Sequence, residues 1–419
     1  MASFYPTKIA KKGEAKLDLA FGLDCTSSMD PYISEARDNI VQIVNEIVQS
    51  ENCDVRLALV EYRDHPPADE SFITKVHDFT ESVGTMKKWL RESYAAGGGD
   101  IPEAVADALN DVLNLSWRKE ATKICVFITD APPHGLGGYR DKFPEGCPLG
   151  LDPMEISKQI AAKGIAIYMA GCEPSILAYK DFYLAVAHIT GGQYVPLEEA
   201  RGLVKIIIYG AREEMSLKKF ECEVEKEIVE LKATRRVINE DELSTILHKR
   251  WETRGETTKQ LTLNQRGLAT AKSSATAMDI TKMGFDAVKT LYKTTTPSTR
   301  KARGAAENQT DPKNQKEGDE DMKAKIAMAT TALADLQTVS KTRAPINVDL
   351  SGITGAVDSG PALSEQNNPP TAVDSVNPIS MRTKGGEYQC IDGGVTLSQT
   401  MRLVQKSMIK MTKLNPDEQ

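Results

Sequence analysis

Short apolar runs alternate with segments whose apolar residues recur every three or four positions, and this alternation organises the first half of the chain. Residues 17–23 (LDLAFGL) are a mostly apolar run ending on Asp24, the pattern of a strand buried on both faces. Ile33, Ala36, Ile40, Ile43, Val44, Ile47 and Val48 then trace one face of a helix. Pro31 stands near its first turn, where a missing N–H costs nothing. Residues 55–62 and 75–79 predict two strands, and residues 82–95 and 102–113 two helices. Residues 123–129 (KICVFIT) are the cleanest buried strand. A helix at 153–163, a strand at 165–170, a helix at 176–190 and a strand at 193–196 follow, with a last helix from about Leu197.

Such alternation predicts an α/β fold: a mostly parallel central sheet, doubly wound, with helices on both faces. Ligands of these sheets bind at the carboxyl ends of the strands, so the residues just after each strand are the place to look for chemistry.

The second half reads differently. Leu217, Phe220, Val224, Ile228 and Leu231 form a heptad-like stripe too short for a coiled coil, and the expectation is a helix packed on the domain or on residues 243–251. Residues 255–300 hold 14 Ser/Thr in 46 positions with few large apolar groups, and 255–387 reads as low-complexity linker with a short Ala-rich helix at 323–339. A short strand at 388–391 and an amphipathic helix at 397–414 end the chain. The expected organisation is therefore a domain at 14–213, a helical extension at 214–254, a largely disordered linker at 255–387 and a terminal strand and helix at 388–414.

Charge sharpens this division. Residues 1–213 carry 22 Lys+Arg and 31 Asp+Glu, a balance of 22 − 31 = −9, whereas the remainder has 30 − 28 = +2. An acidic front domain argues against binding a phosphate backbone, so no nucleic-acid partner is expected. No run of 18 apolar residues exists to span a membrane, and the N-terminus lacks the apolar core of a secretory signal. Seven thinly spread cysteines read as reduced thiols, which places the expectation in the cytoplasm.

Three segments at predicted strand ends carry chemistry. Asp24, Thr26 and Ser28 offer three hard oxygens in one tight loop, a donor set for Mg²⁺, Mn²⁺ or Ca²⁺ rather than zinc. Gly97-Gly98-Gly99-Asp100 bends tightly and brings a carboxylate that either approaches a cation or caps the next helix. Thr129-Asp130 follows the KICVFIT strand. His65, His77, His134 and His188 show no ligand spacing; His134 reads as a solvent-facing loop residue or a donor behind the site, and Asp64 and His65 as a buttress or a turn before Pro66-Pro67.

Together these segments resemble the von Willebrand factor A domain and its metal-ion-dependent adhesion site, in which a D-x-[ST]-x-S loop, a glycine-rich loop and a later Asp surround a divalent cation. Asp24, Thr26, Ser28 and Asp130 match residue by residue. DCTSSMDPYI, VEYRDH, GGGDIPEAV, ITDAPPHG and DKFPEGCPLGLDP resemble the branch found with intracellular alpha-kinases. Two positions depart from the pattern: Gly99 or Asp100 stands where many A domains have Thr, and Ser27 where Gly is common. The resemblance implies metal ligands at Asp24, Thr26, Ser28, Asp100 and Asp130, Mg²⁺ (or Mn²⁺/Ca²⁺) as cofactor, and protein partners. No kinase domain is expected, because after Glu213 only Cys222, His248 and Cys390 remain as zinc-type ligands, and no phosphate-binding G-x-x-x-x-G-K-[ST] loop occurs.

The expected role is a non-enzymatic scaffold or adaptor. Two alternatives stay open: a Mg²⁺-dependent phosphatase-like hydrolase using Asp24, which lacks the usual second Asp at Thr26, and a structural metal with the C-terminal tail as the true binding element. Oligomeric state is not specified by any pattern in the chain.

Overall fold

The computed structural model describes residues 15–137, 140–234, 239–264, 266–295 and 387–413. Its centre is a six-stranded sheet in the order β3-β2-β1-β4-β5-β6. The strands are β1 (Ala15–Asp24), β2 (Cys53–Tyr62), β3 (Thr74–Thr80), β4 (Thr122–Thr129), β5 (Ile165–Cys172) and β6 (Gln193–Leu197). Only β3 is antiparallel. The other strands pair in parallel; β1 registers Leu19 against Leu57 of β2 and against Ile124 of β4.

Alternate residues of each central strand feed separate cores. Ala20, Ala58, Phe127 and Met169 face one layer of apolar side chains, while Leu19, Leu57, Val126 and Tyr168 face the other. Close packing of the two central strands depends on Gly22, since a Cβ there would lie 2.4 Å from the Phe127 ring. The first core is covered by α3 (Val105–Asn114), α4 (Pro153–Ala162) and α5 (Lys180–Thr190), the second by α1 (Asp30–Glu51), α2 (Val83–Glu92) and α6 (Gly202–Ala233). Asp152 caps α4 by accepting the N–H groups of Met154 and Glu155, and Ser82 caps α2 through Thr85 N. Away from the strand carboxyl ends, the fully buried Asp18 is held by Arg56 (3.0 and 2.7 Å) and Arg118 (2.8 Å). That fixes the amino-terminal edge of the sheet.

Residue 213 is not a break in the fold: α6 runs unbroken for 32 residues across it. Its stripe Leu217, Phe220, Val224 and Ile228 packs with Leu243, Leu247 and Trp251 of α7 (Glu240–Thr253), and with Val395, Leu403 and Val404. The last two belong to α10 (Leu397–Lys413). The expected linker is corrected over residues 257–295. There β7 (Thr257–Leu263), β8 (Arg266–Gly267), α8 (Ala275–Lys282) and α9 (Phe285–Thr295) form, and Ala277, Ile280, Phe285, Val288 and Tyr292 join the first core beside α5. The threonine-rich composition had concealed this because each short helix contributes only two or three apolar anchors. β9 (Tyr388–Gly394) completes a three-stranded sheet, pairing antiparallel with β7 from Thr257↔Gly394 to Leu263↔Tyr388. The expected helix at 323–339 lies outside the described residues.

The polar side of α10 is buried too. Arg402 meets Glu213 (3.4 Å) and Glu214, and donates to the Gly191 carbonyl (2.9 Å) and the Tyr168 hydroxyl (3.1 Å). Lys406 lies 2.8 Å from Glu221. Removing one partner of such a pair leaves charges stranded out of water, at a cost of about 3–5 kcal/mol. Arg402→Ala is therefore expected to lower unfolding stability by about that amount in urea titration; a change within about 0.5 kcal/mol, the range of ordinary surface substitutions, would show that α10 is not docked this way.

Candidate functional site

β1 delivers Asp24 to the carboxyl edge of the sheet, fully buried. Its Oδ1 accepts the Thr26 N–H (2.9 Å) and the Thr26 hydroxyl (2.7 Å), an Asx-type turn, while Oδ2 accepts the Thr129 hydroxyl (3.3 Å). Burial, then the charge of Asp130, pushes Asp24 up to about 7 against these hydrogen bonds. Asp130 is also raised, by burial, and the Ser28 hydroxyl bonded to it opposes the shift. Asp24, Thr26, Ser28 and Asp130 thus come together. Ser27 ties this loop to the glycine loop, its hydroxyl donating to the Gly97 carbonyl at 2.7 Å.

The glycine loop is shaped by close approach. Gly97 has φ +81°, and a Cβ there would lie 1.7 Å from Asp69 Oδ2. Gly98, at φ +91°, passes between Thr26 and Glu103: its Cβ would lie 3.8 Å from Thr26 Cβ and 3.7 Å from Glu103 Oε1. Glu103 is buried, and its Oε2 has no hydrogen-bond partner. Burial first, then Asp24, Asp64, Asp100 and Asp130, pushes it up to about 11. Glu103 lies within the GGGDIPEAV segment but was not among the expected ligands. Its chain position, after an X-Pro step, carries no ligand signature of its own.

Asp100 lines the same cleft; its Oδ2 accepts the Lys142 N–H at 2.9 Å, and its Oδ1 is buried without a hydrogen-bond partner. Burial first, and then Asp64 beside it, raises Asp100 to about 6 against the Lys142 bond. Nor does Asp100 cap the next helix, since α3 begins at Val105 with Ala104 at the cap position. The cleft itself has a volume of about 430 Å³ and is lined by Thr26, Ser28, Gly98, Asp100, Glu103 and Asp130, among others.

Behind the cleft lies an ionic chain. His134 is 2% exposed, contrary to the reading of a solvent-facing loop histidine. Its Nε2 lies 2.6 Å from Asp64 and its Nδ1 2.8 Å from Asp141. With a carboxylate on each nitrogen both must donate, so the ring is an imidazolium. Burial alone would lower its pKa; the hydrogen bonds to Asp141 and Asp64 prevail and hold it at about 9. Asp64 therefore does buttress the site, through His134. His65 also accepts the Ala68 N–H at its carbonyl (2.9 Å), closing the turn.

Residues 18–137 match the model of the von Willebrand factor A domain, and the chain contains such a domain. It is similar to the alpha-protein kinase vwkA of Dictyostelium discoideum, 30% identical over 155 residues, covering 36% of this chain and 24% of the kinase. It is also similar to a protein of Acanthamoeba polyphaga mimivirus named as ariadne-like RING finger, 30% identical over 195 residues, covering 44% of this chain and 18% of that one. The chain thus spans less than a quarter of either relative. Among solved structures, a von Willebrand factor type A protein from Catenulispora acidiphila is 15% identical over 49% of this chain and 43% of its own, with a TM-score of 0.33. The pilus adhesin SpaC from Lactobacillus rhamnosus GG is 10% identical over 50% and 32%, with a TM-score of 0.37.

His134 gives a pH prediction. Its folded pKa of about 9 exceeds the ordinary 6.5, so its stabilisation is complete below pH 6.5 and is lost as pH rises through 9. The stability difference between wild type and His134→Gln is expected to shrink by on the order of 2–3 kcal/mol between pH 6 and pH 9.5. A pH-independent difference in urea titrations at the two pH values would disprove the imidazolium bridge.

Proposed function

We propose that the cleft holds a divalent cation and that the protein is a non-enzymatic interaction module recognising a protein partner through it. The observation that carries this reading is the unbalanced charge of the cleft. Asp24, Glu103 and Asp130 crowd one low-dielectric corner, each raised above its ordinary value by burial, and Glu103 Oε2 is buried without a donor. A cation of hard-oxygen preference answers both features. Asp24, Thr26, Ser28 and Asp130 would hold it, with Glu103 in the role first assigned to Asp100. Such an ion offers a coordination position to an oxygen of a bound partner. Three carboxylates around one dication leave the site net negative, which favours a neutral carbonyl or hydroxyl oxygen over an acidic side chain.

The rim suits a protein surface. Ile101, which lines the cleft, is 46% exposed, so an apolar contact stands beside the polar one. A hydrolase is disfavoured by Thr26. It occupies the place where a proton donor is needed, and its hydroxyl is turned back onto Asp24. The tail-binding alternative is weakened by the burial of Arg402, Leu403, Val404 and Lys406 in α10. All seven cysteines are free thiols. No helix among the described residues is long and apolar enough to cross a membrane.

Titration calorimetry of Mg²⁺ and Mn²⁺ into the full chain tests the site. Asp24→Asn is expected to abolish saturable binding, and Glu103→Gln to weaken it about 10–100-fold. Asp100→Asn should leave it within about threefold, that is under 1 kcal/mol. Loss of binding in Asp100→Asn with none in Glu103→Gln would reverse the assignment. Partner capture from lysate is expected to vanish on chelation and in Asp24→Asn; capture that survives both would place the interface elsewhere.

A further inference from the structure

A second cluster lies behind the cleft and uses none of the cleft's ligands. His65 follows β2, Asp107 sits in the first turn of α3, and Cys147 stands in the loop between β4 and α4. His65 Nε2 is 3.0 Å from Asp107 Oδ2, Cys147 Sγ is 3.3 Å from the same oxygen, and Sγ is 3.8 Å from Nε2. We propose that His65, Asp107 and Cys147 form a zinc site, distinct from the hard-cation site at Asp24, that ties these three segments together.

The shape of the triangle carries the argument. Zinc with nitrogen and oxygen ligands at about 2.0–2.2 Å and sulfur at about 2.3 Å places tetrahedral ligands roughly 3.3–3.7 Å apart. The observed edges of 3.0, 3.3 and 3.8 Å lie close to that range without rearrangement. All three ligand atoms lie within 3.8 Å of one another. In a cysteine–histidine–aspartate catalytic relay the thiol and the carboxylate use opposite ring nitrogens. Here both face Nε2, which suits a shared ion and not a proton relay.

The donor types and their surroundings select the metal. One thiolate, one imidazole and one carboxylate are a zinc set; magnesium and calcium take oxygen alone. The Leu149 N–H points at Cys147 Sγ at 3.3 Å, and the loop is closed by Gly150 N to the Cys147 carbonyl at 2.9 Å. On binding zinc the thiol would release its proton to solvent. The His65 ring is held by the edge of Phe143, with centroids 5.7 Å apart. His65 and Asp107 are buried and Cys147 is partly exposed, which leaves a route of entry on the sulfur side. The neighbouring group of Asp100, His134 and Asp141 is not equivalent, because both nitrogens of His134 are already engaged by carboxylates.

The test uses the full chain, stripped with chelator and dialysed against Zn²⁺ under excess Mg²⁺, with zinc counted by elemental analysis. Wild type and Asp24→Asn should each retain one zinc, whereas Cys147→Ser and His65→Gln should bind it at least about tenfold more weakly. Failure of the Mg²⁺ site in Asp24→Asn with zinc retained keeps the two sites separable. Cobalt-loaded wild type should display a thiolate-to-metal charge-transfer band that Cys147→Ser lacks. No zinc uptake by wild type, or unchanged zinc or cobalt signals in Cys147→Ser, would overturn the proposal. A measurement on wild type guards against misfolded variants: zinc should slow alkylation of the Cys147 peptide by iodoacetamide, and equal alkylation with and without zinc would also overturn it.

Discussion

Desolvation of like charges at one edge of the sheet is the constraint on which the other features depend. Asp24, Asp64 and Glu103 are each no more than 3% exposed, and Asp100 and Asp130 stand beside them. A carboxylate taken out of water must be protonated, hydrogen-bonded or paired with positive charge. The molecule uses two of these solutions within one corner and leaves one carboxyl oxygen without a partner. Asp64 and Asp141 share the imidazolium of His134, Asp24 takes hydrogen bonds from Thr26 and Thr129, and Glu103 is left with an unanswered oxygen beside an open cleft. The cleft is chemically interesting because the protein's own cations are spent behind it.

Helices α6 and α10 extend the body away from that edge. Helix α6 passes from the sheet into the extension without a break, so its first half belongs to the second core and its last half to a separate cluster around Trp251. Helix α10 returns from far along the sequence to lie against it. Arg402 and Lys406 are what make this docking specific: an apolar stripe alone would tolerate rotation, whereas Arg402 must find Glu213, Glu214 and the Gly191 carbonyl at once. Helix α10 is thereby part of the body rather than an appendage.

How much was legible varied with how local each signal is. The strands at 17–23 and 123–129 and the helix of α1 were visible because burial on both faces, or on one stripe, writes itself into consecutive residues. Asp24, Thr26 and Ser28 were visible because one tight loop carries them. Glu103 was missed because its meaning comes from facing Asp24 and Asp130 across Gly98. Asp100, three residues away and equally acidic, was favoured for its glycine-rich setting; it lines the same cleft, with one oxygen accepting the Lys142 N–H. Residues 257–295 were misread because their burial is created by α5, β9 and α6, not by any dense apolar pattern of their own.

By itself the sequence determined the doubly wound class, the strand-end position of the chemistry and the hard-oxygen character of the first loop, all of which follow from spacing within some ten residues. The tertiary structure decided which carboxylates share a corner, that His134 is charged, that α10 is buried, and that His65, Asp107 and Cys147 meet. The physical reason is common to these. Electrostatic energy in a low-dielectric interior depends on distances of a few ångströms between groups far apart along the chain. The crossovers of a parallel sheet set those distances, and no local pattern records them.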